Sequence, residues 1–330
     1  YFEVPRLMRS LLFFFCFLSL AIINGCKSWS SSAPRLGRKD LIIQTLSLYN
    51  QHPTPDNESS QTWKGDWLLR HKRLTLIDQN LSNEHPDLIF FQEVLEKKDN
   101  IYQSDINILK AGTLNSYDIK KSSVITFEST AEIESGVLAY KQDEDLLSAV
   151  DPAITWKMGE DGYIILNKTT FENKPLYLFN VKMPQTTDHQ KWFQFMENKV
   201  QGTLLSPNHK CKNRIIIAGF FVGEPDSIHY QNFLRNLSLK DSARGFCEMK
   251  TSCATQVLDH DLAQIALTNS SNRRSDRILV HQSTSVMNSE VNFNNKVPAQ
   301  EKLKKKYGLN FIYPSLRFGW KTNIVLAKCL

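Results

Sequence analysis

The stretch Pro86-Asp87-Leu88-Ile89-Phe90-Phe91-Gln92-Glu93-Val94 constrains the fold more than any other part of the chain. Its middle is a run of consecutive apolar residues, closed by a proline on one side and too short for a helix. Such a run reads as a strand buried on both faces. Its ending in Gln92-Glu93 has two readings. One is a salt-bridged strand end. The other is a carboxylate facing the crevice where open α/β sheets bind ligands, at the carboxyl ends of their strands. The order of the remaining segments favours the second.

Those segments alternate strand and helix. Leu41 to Asn50 reads as a strand alternating around Ile43, Thr45 and Ser47, and Trp63 to Leu81 as an amphipathic helix. Strands are expected at Tyr117–Phe127, Glu134–Lys141, Ala153–Lys157, Arg214–Phe220, Asp276–His281 and Asn323–Lys328. Tyr163–Phe171 and Leu176–Val181 flank Glu172-Asn173-Lys174-Pro175 as a hairpin. Shorter helices are expected at Ile101–Ala111 and Asp226–Leu234, and one capped by Asp188 that buries Trp192, Phe195, Met196 and Val200. Strands outnumber helices and no internal repeat is present, so the class is α/β (α+β).

The amino-terminal residues carry an address. Met8-Arg9 precedes an apolar run from Leu11 to Ile23 and then Asn24-Gly25-Cys26. A basic start, a short apolar stretch and a small residue before the cut make a secretory signal. Ile23-Asn24-Gly25-Cys26 resembles the bacterial lipobox, which implies lipidation at Cys26 and a membrane anchor. Residues upstream of Met8 are read as foreign to the natural product. Residues 1–26 are therefore assigned as upstream residues plus signal, 27–38 as a polar tether, and 39–330 as the domain. The expected location is the bacterial cell envelope, at the outer membrane or facing the periplasm. Of the mature cysteines, Cys247 and Cys253 close a short loop and are the first pairing expected, with Cys211 and Cys329 remaining. Four cysteines allow three connectivities. A net charge of +6 over 330 residues permits an anionic or phosphorylated ligand without identifying one, and gives no particular support to nucleic acid.

Taken together, the motifs resemble those of the endonuclease/exonuclease/phosphatase superfamily, the deoxyribonuclease I-like proteins. Leu48-Tyr49-Asn50 resembles the family's first-strand motif and Pro86–Val94 its Gln-Glu-Val motif. Gly136-Val137-Leu138-Ala139 resembles its glycine-led middle strand, and Arg274-Ser275-Asp276-Arg277-Ile278 its Arg-x-Asp-x-Ile strand. The resemblance implies a four-layer sandwich, two mixed β-sheets packed face to face and flanked by helices. It also implies a phosphodiesterase or phosphomonoesterase in which Mg²⁺ on carboxylate oxygens neutralises phosphate charge.

Asn50, Glu93 and Asp276 keep the family's residues, whereas other expected positions differ. Lys182 stands where the family has a central histidine, Phe220 where it has an aspartate and Val222 where it has an asparagine. Trp320 and Lys321 stand for a terminal Asp-His pair. Phe and Val neither accept a proton nor bind Mg²⁺, and Trp offers one indole N–H. General acid–base groups contribute about 10²–10⁴-fold each, so little turnover is expected. The expectation is therefore a lipid-anchored protein of this fold acting in binding or scaffolding, with no resident cofactor. One alternative is an active phosphodiesterase using Glu93, Asp276 and Mg²⁺; another is a structural envelope protein without a ligand. A further expectation is that Lys182 and Lys321 converge on Glu93, an ammonium replacing the cation.

Overall fold

The computed structural model describes residues 40–48, 66–97, 104–127, 132–141, 147–184, 188–205, 211–247, 275–293, 297–299, 301, 305, 311–312 and 319–329. All fall within one compact unit, Asp40–Leu330. Asn50, Cys26, Cys253 and Arg274 lie outside the described residues.

Two six-stranded mixed sheets form the frame. In the first, β1 (Asp40–Ser47) lies parallel to β2 (Leu88–Lys97). The order is completed by β3 (Asp118–Phe127), β4 (Glu132–Tyr140), β11 (Ser285–Asn292) and β14 (Gly319–Val325), giving β11-β14-β1-β2-β4-β3. The second sheet runs β5-β6-β7-β8-β10-β9. It comprises β5 (Ile154–Met158), β6 (Gly162–Phe171), β7 (Lys174–Lys182), β8 (Ile215–Phe220), β9 (Leu239–Asp241) and β10 (Asp276–His281). A small ribbon pairs β12 (Val297–Pro298) with β13 (Phe311–Ile312).

Period-two alternation assigns each strand face to a layer. Leu41, Ile43, Leu88, Phe90 and Leu138 of the first sheet meet Leu178, Ile216, Ala218, Ile278 and Val280 of the second. The opposite face of the first sheet presents Leu46, Ile89, Phe91 and Ala139 to Leu74, Ile77 and Leu81 of α1 (Asp66–Glu84) and to Ile106 and Leu109 of α2 (Asp105–Lys110). The outer face of the second sheet packs Ile164, Phe179 and Ile217 under α3 (His189–Leu204) and α4 (Ile228–Asn236). This is the expected four-layer sandwich.

Local chemistry fixes the connections. Asp188 caps α3 by accepting from Lys191 N at 3.1 Å. Glu172 and Asn173 both have positive φ, as a two-residue hairpin turn demands. A disulfide joins Cys211 to Cys329. Beside it Asn213 Nδ2 donates to the Lys328 carbonyl at 2.6 Å, so the tail after β14 is fastened to the turn before β8. Cys247 is also disulfide-bonded.

The closing strand differs from its expected span of Asn323–Lys328: it begins at Gly319 and pairs with β1 through Asp40↔Val325 to Thr45↔Trp320. The shift makes Trp320 and Lys321 strand residues pointing to opposite faces. Strand β11 has no counterpart in the expectations because SVMNSEVN is largely polar, being an edge strand with most side chains partly or fully exposed.

Candidate functional site

A β-bulge builds the site. Opposite β4, Phe91 pairs with Val137 and Val94 with Ser135, so Gln92 and Glu93 together face Gly136 alone. Glu93 takes φ 57°, in the left-handed region, where a non-glycine residue costs of order 1–3 kcal/mol. The extra residue turns both Gln92 and Glu93 toward the second sheet, while Phe91 and Val94 stay in the helix-facing core. Gly136 allows the close approach required opposite the bulge: a Cβ there would lie 2.3 Å from Ile165 Cδ1.

Gln92 joins the sheets. Its Nε2 donates to Asn180 Oδ1 at 2.7 Å, and Asn180 Nδ2 donates back to the carbonyls of Phe91 and Val137 at 3.0 and 3.2 Å. Tyr163 OH accepts from the bulged Glu93 N–H at 3.2 Å. Burial raises the Tyr163 phenol well above its ordinary value, with the Glu134 charge adding to this, so it stays neutral.

At the centre is a lysine between two carboxylates. Lys182 Nζ lies 3.3 Å from Glu93 Oε1. It donates to both Glu134 oxygens, at 2.8 and 3.0 Å. All three residues are at most 5% exposed. Burial lowers the Lys182 pKa, but Glu93 and Glu134 more than offset this and hold the ammonium above its ordinary value. Burial raises Glu134 to about 7, Lys182 opposing the rise and Glu93 adding to it. Both directions follow from one ammonium serving two buried carboxylates: the lysine is held charged, and the second carboxylate is in surplus.

Ser47 links this group to Asp276. Its hydroxyl donates a short hydrogen bond to Glu93 Oε2, and its backbone N–H donates to Asp276 Oδ1 at 3.2 Å. Asp276, at the start of β10, pairs in register with Phe220, which in turn pairs with Lys182. Glu93, Asp276 and Lys182 are thus brought to one place.

Other expected residues are placed differently. Lys321 does not converge on Glu93. It lies on the helix side of the first sheet, bonded to Glu84 of α1 and, at 2.8 Å, to Glu290 of β11. Strand alternation is the reason, since Trp320 beside it takes the inward face. Trp320 is fully buried between the sheets, its Nε1 donating to Ser289 Oγ at 2.8 Å and to Ser242 Oγ at 3.2 Å. Phe220 and Val222 join the core cluster containing Val181, Met183 and Phe221. Gly219 between the strands takes φ 146°, and a Cβ there would lie 1.9 Å from the Val181 carbonyl oxygen.

Two site residues escaped the sequence reading. Ser47 is the inward residue that ends β1 beside Gln92, and its alternation with Ile43 and Thr45 was the available signal. Glu134 lies two residues before Gly136 and so on the same strand face.

The site does not fit a divalent cation. Mg²⁺ binds through carboxylate oxygens, and those of Glu93 and Glu134 face the Lys182 ammonium, which would repel it. Among the described residues, no group of three or more His, Cys, Asp or Glu side chains is placed to hold a metal ion.

The two packed six-stranded sheets and their flanking helices form an α/β sandwich with the deoxyribonuclease I-like fold, that of the endonuclease/exonuclease/phosphatase superfamily. The chain is similar to an endonuclease/exonuclease/phosphatase family protein from Bacteroides thetaiotaomicron, with a TM-score of 0.62 at 16% identity over 88% of this chain and 98% of that one. A mannosyl-6-phosphatase from the same organism gives 0.61 at 16% identity, over 87% and 100% of the two chains. D. rerio TDP2 complexed with a single-strand DNA product gives 0.57 at 12% identity, over 87% and 99%. No family model matches the sequence, and no curated protein matches it.

Proposed function

We propose that this protein is an exported, membrane-anchored member of the fold in which metal-assisted phosphoester hydrolysis has been lost and the domain serves in binding or scaffolding. The observation that carries the reading is Lys182 Nζ at 3.3 Å from Glu93 and 2.8 Å from Glu134. A tethered ammonium there supplies the positive charge the carboxylates need. It cannot polarise water or bridge two phosphate oxygens as a divalent ion does. Phe220 and Val222, packed among apolar side chains, offer neither a base nor a phosphate donor. The Cys211–Cys329 disulfide favours an oxidising compartment, in keeping with export and anchoring at Cys26.

The test is hydrolysis of bis(p-nitrophenyl) phosphate with Mg²⁺ or Mn²⁺. The wild-type protein is expected to match the protein-free blank. Turnover that disappears in Glu93→Ala would overturn the reading in favour of an active phosphodiesterase. Anchoring is tested separately in a bacterial host: Cys26→Ala is expected to move the protein from the membrane to the soluble fraction, and unchanged membrane partition would refute anchoring there.

A further inference from the structure

A second site lies on the outer helical layer. Helices α3 and α4 pack beside one another and enclose a groove of about 360 Å³. This is within the size range of small-molecule sites. Its walls are unusual in one respect: Gln190, Gln194 and Asn198 line it from α3, and Asn232 and Asn236 from α4. The Asn236 amide donates to Glu197, whereas the side-chain amides of Gln190, Gln194, Asn198 and Asn232 each carry a donor and an acceptor in one plane. Such pairs match the adjacent hydroxyls of a sugar, which also donate and accept side by side.

The groove is held in shape. Asn236 Nδ2 donates to both Glu197 oxygens at 3.1 Å, tying α4 to α3 across it. Gln201 Nε2 also donates to Glu197, at 3.2 Å. The floor is Phe193 and Phe233, with ring centroids 5.4 Å apart. They are only 3% and 1% exposed, so they support the walls without offering apolar surface to a ligand.

These features exclude the obvious competitors. An amphipathic helix or an apolar small molecule would find little apolar surface on which to bury its own. A phosphorylated ligand would find no Lys or Arg among the lining residues, only the His229 imidazole, and would meet the Glu197 carboxylate. What remains is a neutral molecule that binds through many directional hydrogen bonds. We infer that the α3–α4 groove is a binding site for a neutral, polyhydroxylated ligand of the carbohydrate class, separate from the inter-sheet site.

Saturation-transfer NMR and titration with maltotriose and N,N′-diacetylchitobiose test this, with glucose 6-phosphate as the anionic comparison. At least one neutral sugar is expected to take up saturation at millimolar concentration. Asn198→Ala combined with Asn232→Ala should weaken it by about tenfold or more, since two hydrogen bonds of about 1 kcal/mol each are removed. Asn198 is exposed and Asn232 half-buried, and the melting temperature of the variant confirms that it is folded. Lack of saturation of both neutral sugars would overturn the inference, marking a hydrated surface groove only. Unchanged affinity in the folded variant, or binding of the phosphorylated sugar alone, would do the same.

Discussion

Replacing Lys182 by methionine tests the reading of the inter-sheet site most directly. The substitution keeps most of the side-chain volume and removes the charge. It leaves Glu93 and Glu134 buried without their shared cation, and breaking a buried pair in this way costs about 3–5 kcal/mol. The cost should depend on pH. The folded-state pKa of Glu134 is raised from 4.5 to about 7, so its contribution to stability is complete below the unfolded value and lost as pH rises through about 7. That shift corresponds to roughly 3 kcal/mol. At pH 5 Glu134 is protonated in the folded wild type and variant alike, and Lys182→Met removes chiefly the partner of Glu93, for roughly 1–3 kcal/mol. At pH 8 the variant must ionise a second buried carboxylate or bind a proton to avoid doing so, and the cost rises toward the upper figure. Urea unfolding followed by tryptophan fluorescence at the two pH values gives both numbers. Glu134→Gln in the Lys182→Met background should recover part of the loss at pH 8 and little at pH 5. Equal destabilisation at both pH values, or a variant more stable than wild type at pH 8, would refute the account of one ammonium serving two carboxylates.

Other substitutions separate the remaining contributions. Lys321→Ala should cost less than about 1 kcal/mol, because its carboxylate partners Glu84 and Glu290 are partly exposed, and it should leave the pH dependence of unfolding unchanged; equality with Lys182→Met would contradict the assignment. Cys329→Ser opens a disulfide spanning 118 residues and should lower stability by about 5 kcal/mol on the chain-entropy estimate, read from denaturant midpoints without reductant; an unchanged midpoint would show that the joined segments are held without it. Gly219→Ala meets the Val181 carbonyl oxygen and a left-handed backbone together, and should be the most damaging single methyl addition of the strand residues, by more than about 3 kcal/mol or to the point of failed expression; wild-type stability would refute that backbone geometry.

The sandwich was legible because its strands are short apolar runs with clear alternation. Asp276–His281 was read to the residue, and Asp188 as a cap. The closing strand was misplaced because a buried Trp320 and a paired Lys321 do not form an obvious apolar run, whereas Ile324 to Ala327 does. Among site residues, Glu93 was legible as a carboxylate closing a buried apolar run, although β2 does not end there but continues past it to Lys97. The bulge that aims it was not, because the extra residue is visible only against the register of β4. Glu134 was missed for a related reason: an acidic residue near a strand end is ordinarily solvated, and only the second sheet, through Lys182, makes it a buried partner. The two lysines looked equivalent in sequence. Their separation required knowing the face of β14 on which each residue falls.

The residues of the pocket also make physical sense together. Two buried carboxylates need a positive charge beside them. A histidine at position 182 would be largely neutral at pH 7 and could not supply it, whereas a lysine does so throughout the physiological range. Unpaired polar groups beside such a buried charge cluster would be costly. Phe220 and Val222 are apolar and are absorbed into the core with Met183 and Phe221. Lys182 is paired, Phe220 and Val222 are packed, and the Trp320 indole N–H has two hydroxyl acceptors. The pocket is thus organised around the fixed positive charge of Lys182, which accounts for the burial of both Glu93 and Glu134.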